Sequence, residues 1–94
     1  MRNPPSYLRQ KFSIAGAFLK GRQSLPIRVV KAWTEISPLN EEDFDDKELR
    51  SDFEWIMSKI QFAVIDGVRP KATTAECEEV ARRIEKIRRA LGAP

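Results

Sequence analysis

The chain of 94 residues has no histidine and a single cysteine, Cys77. Without histidine it lacks the commonest general base, the commonest zinc ligand and the base of Ser-His-Asp or Cys-His nucleophiles. One thiol excludes a disulfide within the chain, and we interpret Cys77 as a small buried apolar side chain. These absences argue against most hydrolases. They favour a protein that is not an enzyme and that needs no cofactor.

Long apolar runs are also missing. No window approaches the roughly 18 consecutive apolar residues of a spanning helix, so we expect no membrane partner. The opening Met-Arg-Asn-Pro-Pro-Ser places a charge and two prolines where a secretory signal has an apolar run. We therefore predict a cytoplasmic protein.

The apolar residues that are present recur at intervals of three and four along four segments, which is typical of amphipathic helices. The last segment contains Cys77, Val80, Ile84, Ile87 and Leu91 in this spacing. An apolar share of 41% is ordinary for a folded domain, and this length fits one core. The pattern predicts an all-α fold that forms a single helical domain over residues 1–94. We expect a compact bundle of four helices joined by short loops, with the helices at approximately 7–20, 25–36, 46–62 and 74–91.

Polar residues and glycines mark the expected helix ends. Thr73, with Glu76 three residues later, forms a capping box. Gly21 and Gly92 are placed to follow the first and last helices. Asn40 is expected to cap a short turn. The predicted N-terminal caps of the four helices are Ser6, Ser24, Asp45 or Asp46, and Thr73.

Charge is segregated along the chain. Residues 1–34 hold seven basic residues and no acidic one, whereas residues 35–54 hold nine acidic residues and two basic ones. Either the two blocks neutralise each other across the fold, or one of them attracts a charged partner. We favour neutralisation.

The acidic segment 41–48 is similar to a calcium loop in composition but not in spacing. Counted from Asp43, the third ligand position is Lys47, and Glu48 stands where the loop needs glycine. Carboxylates before a helix are better explained as caps of its free N–H groups. We therefore predict no metal site.

The basic block offers a surface for a nucleic acid. Around Gly21 it partly resembles helix-turn-helix proteins, with Ala17 four residues before the glycine and apolar residues six and nine after it. The charges of Lys20 and Arg22 beside the glycine depart from that family, and a plain connection between two helices explains the segment as well. The cations available to an anion or nucleic acid are Arg9, Lys11, Lys20, Arg22, Arg28 and Lys31.

The sequence has more large apolar residues than four core faces need. Tyr7, Ile14 and Phe18 form a second stripe on the first helix, about 100° from its core stripe. Trp55 and Phe62 lie off the core face of the third helix. Either the first helix is covered on two sides, or these five residues bind a partner or a second copy of the chain. We favour an interface, because Trp and Tyr are frequent binding anchors.

The segment Ser-Pro-Leu-Asn-Glu-Glu-Asp-Phe-Asp-Asp-Lys-Glu-Leu-Arg-Ser-Asp-Phe-Glu-Trp-Ile, at residues 37–56, lies between a basic helix pair and a Thr-capped charged helix. In this arrangement the chain resembles a group of small all-helical bacterial proteins with no assigned activity. The resemblance implies the all-α fold and a bacterial cytosolic origin. It implies no mechanism.

Together these features predict a non-enzymatic protein–protein interaction module. It would be a small accessory, regulatory or immunity-type subunit that forms a homodimer or binds another protein. The alternative is a nucleic-acid-binding protein that uses the basic first two helices. Phosphate contacts weaken steeply as salt rises, whereas an aromatic interface depends little on salt.

Overall fold

The computed structural model describes residues 2–60 and 73–94, and of Ile60 the backbone alone. Within these ranges there are four α-helices and one turn of 3-10 helix, and no strand. In chain order they are α1 (Pro5–Leu19), α2 (Leu25–Ile36), η1 (Glu41–Asp43), α3 (Lys47–Ile60) and α4 (Thr74–Ala90). The predicted all-α bundle is confirmed. The predicted end of the third helix at residue 62 and the binding residue Phe62 lie outside the described residues.

The helix α1 begins two residues before its predicted start. Pro5 occupies the first helical position, where its fixed φ and missing N–H suit the first turn, and Pro4 is the cap. The N–H groups of Tyr7 and Leu8 donate to the Pro4 carbonyl oxygen at 3.0 and 3.4 Å. The prediction that Ser6 caps this helix is therefore wrong, because the two prolines already set the backbone geometry at the helix start.

The predicted caps of α3 and α4 are in place, whereas Ser24 stands at the cap position of α2 without a side-chain capping hydrogen bond. Asp46 precedes α3, and its Oδ1 accepts from the N–H groups two and three residues later, at 2.8 and 3.2 Å. At α4, Thr73 Oγ1 accepts from the Glu76 N–H at 3.1 Å, and Glu76 Oε1 accepts from the Thr73 N–H at 3.0 Å. Three helix starts are therefore confirmed to within one residue.

The helix α4 ends with a glycine, as predicted. Leu91 is the last half-helical residue, and Gly92 has a φ of +69°, in the left-handed region that favours glycine. The N–H groups of Gly92 and Ala93 donate to the carbonyl oxygens of Arg89 and Arg88, both at 3.0 Å. This turn brings the chain back onto the bundle, where Ala93 is buried.

The predicted apolar stripes meet in one core. The stripe residues that are buried are Leu8, Phe12, Ala15 and Leu19 in α1, Val29, Ala32 and Ile36 in α2, Leu49, Phe53 and Ile56 in α3, and Cys77, Val80, Ile84 and Ile87 in α4. The half-buried members, which pack against this core, are Leu25, Trp33, Met57 and Leu91. The helix α4 contacts each of the other three helices. Its stripe therefore lies at the centre of the bundle.

The helix α1 packs against both α2 and α4. Gly16 lets it approach α4, because a Cβ at this position would lie only 2.7 Å from Cδ of Arg88. On the other side, Lys11 Nζ donates to Glu35 Oε1 of α2 at 3.1 Å. The structure thus has the first helix covered on two sides, which is one of the two arrangements that the sequence left open.

Phe44 carries the linker between η1 and α3 into the core. Its ring centroid lies 6.0 Å from that of Phe12 in an edge-to-face contact and 4.9 Å from that of Phe53. Leu39, which precedes η1, is also buried. These two apolar residues hold η1 against α3. The periodicity did not mark Phe44, because it stands between helices inside an acidic run.

Asp43 ties the N-terminal residues to η1. Its Oδ1 accepts from the Asn3 N–H at 2.6 Å, and its Oδ2 accepts from Asn3 Nδ2 and from the Asn40 N–H, both at 2.9 Å. Burial alone would raise the pKa of Asp43, but the hydrogen bonds from Asn40 and Asn3 outweigh it and lower the pKa below its usual value. This carboxylate is therefore an ionised structural group.

Candidate functional site

The predicted partner-binding residues that the structure describes are half-buried. Tyr7 and Phe18 of α1 and Trp55 of α3 pack against the core. Ile14 lines a shallow cavity on α1, beside the C-terminal Pro94. The fold therefore uses part of this apolar surface, and a partner can contact only the remainder.

Cations of the chain itself lie on two of these aromatic rings. Arg83 Cζ is 4.2 Å and Lys59 Nζ is 5.8 Å from the ring centroid of Trp55. Lys11 Nζ is 5.3 Å from the ring centroid of Tyr7. Such contacts are attractive and shield the ring face. They reduce the aromatic area that the two predicted anchors offer to another protein.

Two of the six cations that were predicted to contact an anion bond instead to other groups of the chain. Lys11 pairs with Glu35 at 3.1 Å. Arg28 donates to the carbonyl oxygens of Gln23 and Leu19 at 2.8 and 2.6 Å, which closes the turn between α1 and α2. The other four, which are exposed, are Arg9, Lys20, Arg22 and Lys31.

The helix α4 neutralises one of the two buried carboxylates of the acidic block. Asp52 of α3 is 5% exposed, and its two oxygens lie 3.1 Å from Arg83 Nη1 and 2.9 Å from Lys86 Nζ. Lys86 also lies 2.8 Å from a carboxylate oxygen of Glu48. Among the described residues, the basic first third of the chain forms two ion pairs with acidic residues, Arg2–Asp45 and Lys11–Glu35. The last helix therefore provides the cations for Asp52.

Beside η1 the surface opens into a groove of about 530 Å³. Its floor is apolar, since Leu39 and Phe53 are buried and Met57 is half-buried. Its rim carries carboxylates from η1 and α3. We call this feature the acidic groove and define it by Leu39, Phe53 and Met57 on the floor and Glu41, Glu42 and Glu54 on the rim.

Two rim carboxylates lie side by side. A hydrogen bond between the side chains of Glu54 and Glu41, with partial desolvation and the charge of Glu41, raises the pKa of Glu54 above its ordinary value. Arg50 opposes this rise, but its Nη2 also donates to the Phe44 carbonyl oxygen at 2.9 Å. Arg50 also lines a small cavity with Glu41 and Glu54. At neutral pH the two carboxylates repel each other, and the charge of Arg50 offsets this repulsion only in part.

We expect Glu54→Gln to raise the thermal unfolding midpoint at neutral pH by about 1 to 3 °C, since it removes a like-charge contact. Because the folded-state pKa of Glu54 is raised, its ionisation disfavours the fold, and this penalty disappears as pH falls below the ordinary pKa. The gain should therefore vanish near pH 4. Thermal melts followed by circular dichroism measure it, with Glu78→Gln as an exposed control on α4. A lower midpoint for Glu54→Gln at neutral pH would show that this carboxylate stabilises the fold.

A second groove, of about 640 Å³, lies between the end of α1 and α4. Lys20 and Arg89 are exposed at its edge. Its other cations, Arg82 and Lys86, already pair with carboxylates, and Glu85 also lines it. Charges of both signs meet there, and two of its four cations are compensated by the chain.

The sequence pattern alone does not locate the acidic groove. It assigns Met57 to the core face of the third helix and Glu41 to a short capped turn, and it gives Glu54 no role. The available signal is local: Glu54 lies three residues before Met57 and therefore beside it on the helix. The contact with Glu41 depends on how η1 folds back onto α3, which no spacing rule describes.

No family model, curated protein or solved structure matches this chain. The resemblance to small helical bacterial proteins therefore stays a prediction. Among the helices of residues 2–60 and 73–94, none has the length and hydropathy that crossing a membrane requires. In the same ranges no group of three or more potential ligands is arranged so that it could hold a metal ion.

Proposed function

We propose that this chain is a non-enzymatic protein–protein interaction module and that the acidic groove is its binding surface. The observation that carries the proposal is a groove in which the half-buried Met57 lies beside the carboxylates Glu41 and Glu54. Protein interfaces combine an apolar centre with a polar rim in this way. The flexible thioether of Met57 suits a surface that adapts to a partner.

Two of the rim carboxylates, Glu41 and Glu54, support the proposal because Arg50 offsets the effect of Glu41 on Glu54 only in part. Asp43 receives three hydrogen bonds and Asp52 two cations. Glu41 and Glu54, in contrast, are held against each other. Groups that cost stability are characteristic of functional sites, where a ligand supplies the interaction that the fold omits.

The proposal includes a role as a small accessory, regulatory or immunity-type subunit in a bacterial cytoplasm. The thiol of Cys77 is buried, and desolvation raises its pKa. It therefore stays protonated and unreactive. A free, inert thiol is compatible with a reducing compartment.

Self-association is also part of the proposal, and we expect a homodimer at micromolar concentration. The contact would be formed by the exposed parts of Tyr7, Ile14 and Phe18 on α1, or by Trp55 on α3 together with Phe62. Complete burial of such a side chain contributes about 1.5 to 3 kcal/mol. Those that the structure describes are already half-buried and association costs several kcal/mol, so moderate affinity follows.

Light scattering on a sizing column tests self-association, since the monomer mass is 10.8 kDa. We expect about twice this mass for the wild type and a shift toward the monomer for Ile14→Ser. Ala17→Ser, an exposed change on the same helix, should leave the mass unchanged. A monomeric wild type at high concentration would remove self-association from the proposal and leave the acidic groove for a different partner.

Nucleic-acid binding by the first two helices has less support. Lys11 and Arg28, two of its six cations, bond to a carboxylate and to backbone carbonyls of the chain. Affinity for a phosphate backbone grows with the number of cations that can face it. We therefore do not propose it as the function.

A further inference from the structure

We draw no further inference here: the strongest candidate, the groove between the end of α1 and α4 with the exposed cations Lys20 and Arg89 at its edge, is lined by Glu85 as well, and nothing in the structure shows what covers it.

Discussion

Ile84→Asp is expected to leave the chain unfolded at room temperature. Ile84 is 0% exposed and lies mid-way along α4, which contacts the other three helices. Truncating a core isoleucine costs about 2 to 5 kcal/mol, and a carboxylate placed there without a partner adds the cost of its desolvation. A domain of this size has a total stability of about 5 to 14 kcal/mol. Far-UV circular dichroism should show loss of the helical signal.

The matched control for Ile84→Asp places the same residue in the same helix at an exposed position. Ala75 lies in the first turn of α4 and is exposed. Because a negative charge near a helix N-terminus is favourable, Ala75→Asp should fold with at least wild-type stability. If Ile84→Asp melted like the wild type, the position assigned to Ile84 in the core would be wrong.

Asp43→Ala should lower the free energy of unfolding by about 2 to 4 kcal/mol, because three hydrogen bonds to a charged acceptor are lost. The donors are the N–H groups of Asn3 and Asn40 and the side-chain amide of Asn3. Asp43 itself is 3% exposed, so water replaces it poorly. Urea denaturation measures the change. Asp45→Ala, which removes an exposed carboxylate paired with Arg2, is the control, with an expected loss of about 0.2 to 1 kcal/mol.

The effect of Asp43→Ala should also depend on pH. The pKa of Asp43 is lower in the folded chain than its ordinary value of about 3.9, so its ionised form stabilises the fold. This stabilisation is complete above about pH 4 and is lost as pH falls through the folded-state pKa. The difference between wild type and variant should therefore be constant near neutrality and shrink in acid. A difference that grew as pH fell would contradict the assignment of Asp43 as an ionised acceptor.

The sequence by itself determined the helices and most of their boundaries. The capping box of Thr73 and Glu76, the cap at Asp46 and the turn at Gly92 depend on neighbours within four residues. The apolar stripes depend on the helical period, which also relates residues three and four apart. The predicted cap at Ser6 is wrong because the two adjacent prolines are a competing local signal. They start the helix at Pro5, before the serine.

Only the tertiary structure decided how these elements face each other. Glu41 and Glu54 are thirteen residues apart in the chain, and the burial of Leu39 and Phe44 brings them together. The same packing pairs Asp52 with cations of α4 and covers α1 on two sides. Local spacing fixes the direction of a side chain on its own helix. Its neighbours across the bundle depend on the loops and on which apolar faces fill one core, so the acidic groove could be seen only in the folded chain.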